Sequence, residues 1–185
     1  MALPKKINKT LRLFGFYSGV IVGVLLLLML FNVPIGQILI IVLMIIIGTI
    51  SKLYKHFIGI SIGFELITPV VIILAYTLNP LFTIIAAIFM VVIAEFISGQ
   101  IYPNNIIVQI GVYIVIVVSV LLFSRAVDFI PLANSLIIFR NVVLWITMVV
   151  PGFVDPFRAT IATLPNIFIN GFIISTIGVV LIAIL

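Results

Sequence analysis

The sequence predicts an all-α fold, a polytopic transmembrane helical bundle of six to seven spans. Composition is the first of three observations behind this: 65% of the 185 residues are hydrophobic and 7% are charged, whereas roughly a quarter are charged in soluble domains. Mean hydropathy, at +1.58, is the second. The third is segmentation. The apolar residues fall into runs near the roughly 17 to 25 residues that a helix needs to cross a hydrocarbon core of about 30 Å.

Taken in order, the runs are Leu13–Phe31, Ile35–Ile50, Ile58–Leu78, Leu81–Ile97, Ile106–Phe123, Phe129–Val150 and Pro165–Leu185. The first is too long for a signal-peptide core and no small-residue cleavage pattern follows it, so it reads as a retained span. Ile35–Ile50 and Leu81–Ile97 are short enough to be tilted or re-entrant, which keeps six crossings open. Breaks coincide with Asn32-Val-Pro34, Asn79-Pro80, Tyr102-Pro-Asn-Asn105 and Val150-Pro-Gly152, where proline and glycine end helices and asparagine favours turns. No linker is long enough to separate domains. One integral membrane domain over residues 1–185 is expected, with a short basic cytoplasmic segment at 1–12.

Charge and special residues narrow the classes further. A pI of 9.8 suits nucleic acid only where a soluble surface carries a basic patch, and these cations stand at the ends of apolar runs. They read as topology signals, so the expected partner is the lipid bilayer and no nucleic acid. With the N-terminus cytoplasmic, Lys5, Lys6, Lys9, Arg12, Lys52, Lys55 and Arg158 fall inside and Arg125 outside. The location implied is the cell membrane, crossed several times. The chain has no cysteine and one histidine, His56, so thiolate and multi-imidazole metal centres are ruled out. His56 lies in a basic run and reads as interfacial. No cofactor and no metal is expected.

Glycines supply a packing signal. Gly15, Gly19 and Gly23 form a ladder at helical spacing on the first span, which allows close approach of another helix. Gly59 and Gly63 repeat the spacing once.

Arg140 is the functional clue, since it stands near the middle of the apolar stretch from Leu132 to Val150. A guanidinium does not shed its proton, so it needs a partner within the membrane. Glu65 is the preferred one. It shares a helical stripe with Ser61 and Thr68, continued by Tyr76, and lies roughly 10 Å into its span at 1.5 Å per residue. Glu95, at the end of its span, is the second choice and reads as solvated by interfacial water. Arg125 with Asp128, and Asp155 with Arg158, have the spacing of local surface pairs. Asn134 and Asn141 lie on one face beside Arg140, and Asn166 and Asn170 are one turn apart on the last span. These amides either line a cavity or bond helix to helix. Arg140, Glu65, Asn141, Asn134, Asn166 and Asn170 are therefore the candidate substrate-binding residues.

No nucleophile elbow, HExxH or acidic metal cluster is present, so no enzyme is expected. The segment Ile62-Gly-Phe-Glu-Leu-Ile-Thr-Pro69, the turn Asn79-Pro80 and the ending Ala94-Glu-Phe-Ile-Ser-Gly99 resemble the second and third helices of S components from energy-coupling factor transporters. Leu164-Pro-Asn-Ile-Phe-Ile-Asn-Gly171 is similar to the start of their last helix. The resemblance implies a substrate-capture subunit of about six helices, working with a coupling subunit and paired ATPases. The family's Ala-x-x-x-Ala motif is absent from Ile35–Ile50, and no binding residue is carried over. Small cell-shape membrane proteins of the MreD type have a similar size and helical pattern. The expected function is small-solute transport or substrate capture; the alternative is a structural or scaffolding subunit of a membrane complex.

Overall fold

A computed structural model describes residues 34–52, 65–98 and 103–185 of the chain. By contacts the chain groups into two units, Met1–Val42 and Leu43–Leu185. Residues 34–42 are the described part of the first, and the second holds all the other described residues. The run Leu13–Phe31 and the Gly15, Gly19, Gly23 ladder lie outside the described residues, as do His56, Gly59 and Gly63.

The described residues are helical, with no strand, and form α1 (Ile35–Ile50), α2 (Ile67–Thr77), α3 (Pro80–Ser98), α4 (Pro103–Phe123), α5 (Phe129–Val149) and α6 (Pro156–Ile184). Proline places most of their starts. Pro80, Pro103 and Pro156 open α3, α4 and α6, while Pro69 and Pro131 stand in the first turns of α2 and α5. A first-turn residue has no intrahelical acceptor for its N–H, so the missing donor costs nothing there. Asparagine and aspartate complete two of these starts. The Asn79 carboxamide accepts from the Leu81 amide at 2.9 Å, and the Asp155 carboxylate accepts from the amides of Phe157 and Arg158 at 2.9 and 3.2 Å.

This cap corrects two expectations. Asp155 closes the N-terminus of α6 through backbone amides rather than pairing with the Arg158 side chain. The last helix also begins at Pro156, nine residues before the expected Pro165, which lies inside it. The chain turns instead at Gly152, whose φ of 76° is the left-handed conformation that glycine adopts at no steric cost. Five residues of α6, Ile174–Gly178, are wound as a π-helix before the α-helix resumes at Val179.

Packing centres on α2. It spans 11 residues, and all of Ile67 through Leu74 are buried. A short helix that is apolar on every side is stable only when enclosed, and α2 is contacted by α3, α4, α5 and α6. Around it α3 packs on α4, α4 on α5, and α5 on α6. Short connections between consecutive helices make neighbours antiparallel.

Four helices, α3, α4, α5 and α6, are long and apolar enough to cross a membrane, whereas α1 and α2 are shorter apolar helices. Their outward faces present Leu121, Leu122, Phe168, Phe172 and Val180. An apolar surface this continuous is suited to lipid.

Close approach favours glycine at Gly48. A Cβ on Gly48 would meet Met90 Sδ at 3.2 Å, Val70 Cγ2 at 3.5 Å and the Ile67 backbone at 3.7 Å, whereas one on Gly111 would meet nothing within 4 Å. Gly48→Leu should therefore destabilise the protein by about 1–3 kcal/mol through overpacking. Gly111→Ala should stabilise it by roughly 0.5–1 kcal/mol through helix propensity. Thermal unfolding of both variants in detergent checks the opposite signs.

Candidate functional site

Four charged side chains are buried together among the described helices. Lys52 follows α1, Glu65 precedes α2 by two residues, Glu95 occupies the last turn of α3, and Arg140 sits midway along α5. Lys52 is 1% exposed, Glu95 3% and Arg140 3%. At such burial each charge needs an opposite charge in contact.

The contacts supply that need in alternation. Arg140 Nη2 pairs with Glu65 Oε2 at 2.6 Å. Glu65 Oε1 lies 3.5 Å from Lys52 Nζ, and Lys52 Nζ is 2.8 Å from Glu95 Oε1. The order is Glu95, Lys52, Glu65, Arg140, with signs minus, plus, minus, plus. The cluster is neutral as a whole.

Helix ends account for part of the arrangement. Lys52 lies beyond the C-terminus of α1 and Glu65 before the N-terminus of α2, where backbone dipoles favour a cation and an anion respectively. Ser51 ties these two ends together: its hydroxyl donates to the Gly48 carbonyl at 2.6 Å and accepts from the Leu66 amide at 2.9 Å. Glu95, near the C-terminus of α3, has the opposite and unfavourable dipole. Lys52 and Gln109 offset it.

Two side chains of α4 fix the orientation of the ions. The Gln109 Oε1 accepts from Lys52 Nζ at 2.8 Å while its Nε2 donates to Glu95 Oε1 at 2.9 Å. A three-membered ring of Lys52, Glu95 and Gln109 results, and its polarity admits one amide orientation. One turn further along α4, the Tyr113 hydroxyl donates to Glu65 Oε1 at 2.9 Å. That uses its single proton. Thr68 at 3.1 Å and Arg140 Nη2 at 3.5 Å are therefore donors to the same oxygen. The guanidinium also stands 6.0 Å from the centre of the Tyr113 ring.

The asparagines form a second group, adjoining Arg140 through Asn141. Asn141 Nδ2 donates to the Ile137 carbonyl at 2.8 Å and to Asn166 Oδ1 at 3.3 Å, and Asn170 Nδ2 donates to the same Oδ1 at 2.6 Å. All three are buried. Asn134 is set apart from this chain. It is half-buried, and its Oδ1 would lie 3.3 Å from a Cβ added to Gly171.

Two buried polar atoms in these groups have no hydrogen-bond partner among the described residues, Arg140 Nε and Asn170 Oδ1. One is a donor and the other an acceptor. Rotating the Asn170 amide does not solve its case, because the oxygen would then face Asn166 Oδ1.

No family model, no curated protein and no solved structure matches the chain. The site must be judged on its own chemistry. Among the described residues no group of three or more His, Cys, Asp or Glu is placed to hold a metal ion.

The structure brings Arg140 and Glu65 into direct contact, and it links Asn141, Asn166 and Asn170. One sequence reading is corrected: Glu95 is enclosed and paired with Lys52 rather than solvated at an interface. Lys52, read from the sequence as an orientation signal, is itself a buried ion. Gln109 and Tyr113 are site residues that the sequence reading does not single out. Their signal is a pair of polar residues spaced i, i+4 on a mostly apolar helix, facing the same way as one another.

Removing one member of a buried pair strands the other. Glu65→Leu and Arg140→Met should each cost about 3–5 kcal/mol, and the double variant should cost less than either, because Lys52 and Glu95 still neutralise each other. Chemical or thermal unfolding of the three variants measures that coupling.

Proposed function

We propose that the chain is a multi-pass protein of the cell membrane that captures or transports a small polar solute, with its N-terminus on the cytoplasmic side. The observation that carries this reading is that two buried polar atoms, Arg140 Nε on α5 and Asn170 Oδ1 on α6, have no hydrogen-bond partner among the described residues. Buried polar groups in membrane bundles are costly unless partnered, and a solute with acceptor and donor groups supplies the partners. Arg140 attracts the solute, and Glu65 neutralises Arg140 when no solute is held. Asn141, Asn166 and Asn170 add hydrogen bonds, with Asn134 one or two turns away on α5. The chain acts as a binding subunit and not as an enzyme. On the likeness to S components, its partners are a coupling subunit and paired ATPases.

A second reading is favoured by one observation, the cancellation of Lys52, Glu65, Glu95 and Arg140 among themselves. On it the ions are an interhelical lock and the chain is a structural subunit of a membrane complex.

Thermal unfolding in lipid nanodiscs separates the two. Acetate, inorganic phosphate, glycine and glycerol are the probes. Capture predicts that at least one raises the melting temperature by roughly 5–10 °C at a hundredfold excess over its dissociation constant. The neutral double variant Glu65→Leu/Arg140→Met should lose that rise. If no probe shifts the wild-type chain and it purifies with membrane subunits that lack an ATPase pair, the structural reading stands and capture fails.

A further inference from the structure

We infer that Glu65 is an exchangeable counter-ion: it holds Arg140 in this structure and passes to Lys52 when a small monoanionic carboxylate takes Arg140. This deepens the capture reading and rests on it, naming the solute class and the step by which the site accepts it.

Three features of the geometry point to it. Glu65 is the shared member of the network. One of its oxygens pairs with Arg140 at 2.6 Å and the other already faces Lys52 at 3.5 Å, so a full contact with Lys52 needs a movement of under about 1 Å. Glu65 also stands outside the helical ladder of α2, whose N-cap is Leu66.

Arg140 supplies the second feature. Glu65 engages the guanidinium through Nη2, while Nε–H, buried, has no partner among the described residues. A guanidinium is built to hold a carboxylate through two parallel N–H groups, and this one is used through a single nitrogen. The unused donor is where an incoming carboxylate can make its first bond before Glu65 leaves.

Charge balance is the third feature, and it selects the ligand. With Glu65 on Lys52, that lysine serves two carboxylates and Arg140 retains one positive charge. A monoanion neutralises Arg140. The site as a whole then carries one surplus negative charge, shared by Lys52 between two carboxylates, whereas a dianion would leave two, which burial opposes more strongly. Tyr113 eases the transfer, because its hydroxyl donates to the Glu65 oxygen nearest Lys52 and accepts from Arg140.

The test uses the full chain in nanodiscs with acetate as the probe. In wild-type protein labelled with 15N-arginine, the Arg140 Nε–H resonance, assigned by its loss in Arg140→Lys, should move on titration with acetate. Glu65→Gln, which removes the competing anion, should bind acetate at least tenfold more tightly. Lys52→Met/Glu95→Gln removes the receiving cation while keeping the cluster neutral, and should bind at least tenfold more weakly. If acetate binds all three forms equally, the exchange is overturned and capture stands. If saturating acetate leaves the Arg140 resonance unmoved while glycerol raises the melting temperature, the anion assignment is overturned and capture again stands. Failure of acetate, phosphate, glycine and glycerol alike overturns both. Should Glu65→Gln not fold, the wild-type titration alone decides whether Arg140 accepts the anion.

Discussion

Electroneutrality of buried charges is the constraint on which this molecule depends. Two cations and two anions are enclosed among the described residues of a chain with few charges, and their mutual contacts and hydrogen bonds stand in place of hydration. The contacts alternate in sign from Glu95 to Arg140, so every interior ion has an opposite neighbour. Gln109, Tyr113 and Thr68 fill remaining bonding positions. A defect at one ion therefore propagates to its neighbours along the sequence of pairs.

The backbone serves this arrangement. The first residues of α2, Ile67 to Val70, are buried. Glu65 is thereby set among Lys52, Tyr113 and Arg140. The connections that bring in the other ions are made by helix ends as well: Lys52 follows α1 and Glu95 closes α3. Arg140 differs, projecting from the middle of a long helix toward the same point. A charge at a helix end and one at mid-helix are thus joined through Glu65, which contacts both Lys52 and Arg140.

Much of this is legible in the residues. Composition and run length dictate an all-helical bundle with apolar outer faces, and proline marks where helices begin because a first-turn residue has no acceptor to lose. Arg140 in the centre of an apolar run requires a carboxylate, and Glu65 supplies it, although from a non-helical position two residues before α2 rather than from the helical stripe that its spacing to Thr68 suggests. The burial of Lys52 and Glu95 is not legible, since a charge at the end of an apolar run looks the same whether it meets water or another ion. Only the contact of Lys52 with side chains of α3 and α4 distinguishes the two. Pro165 misleads for a different reason: a proline inside an apolar segment resembles a start, while the Asp155 cap and Gly152 turn carry the actual boundary.

The four ions form one neutral unit rather than two independent pairs. Glu95 and Arg140 stand at opposite ends of the series, in contact with Lys52 and Glu65 respectively, which makes them a clean probe of that coupling. The direct measurement is the unfolding free energy of Glu95→Gln, Arg140→Met and the two combined. A single neutral unit predicts that the double variant, which leaves Lys52 facing Glu65, is more stable than at least one of the single variants. Simple addition of the two losses, as for distant and independent sites, would contradict it.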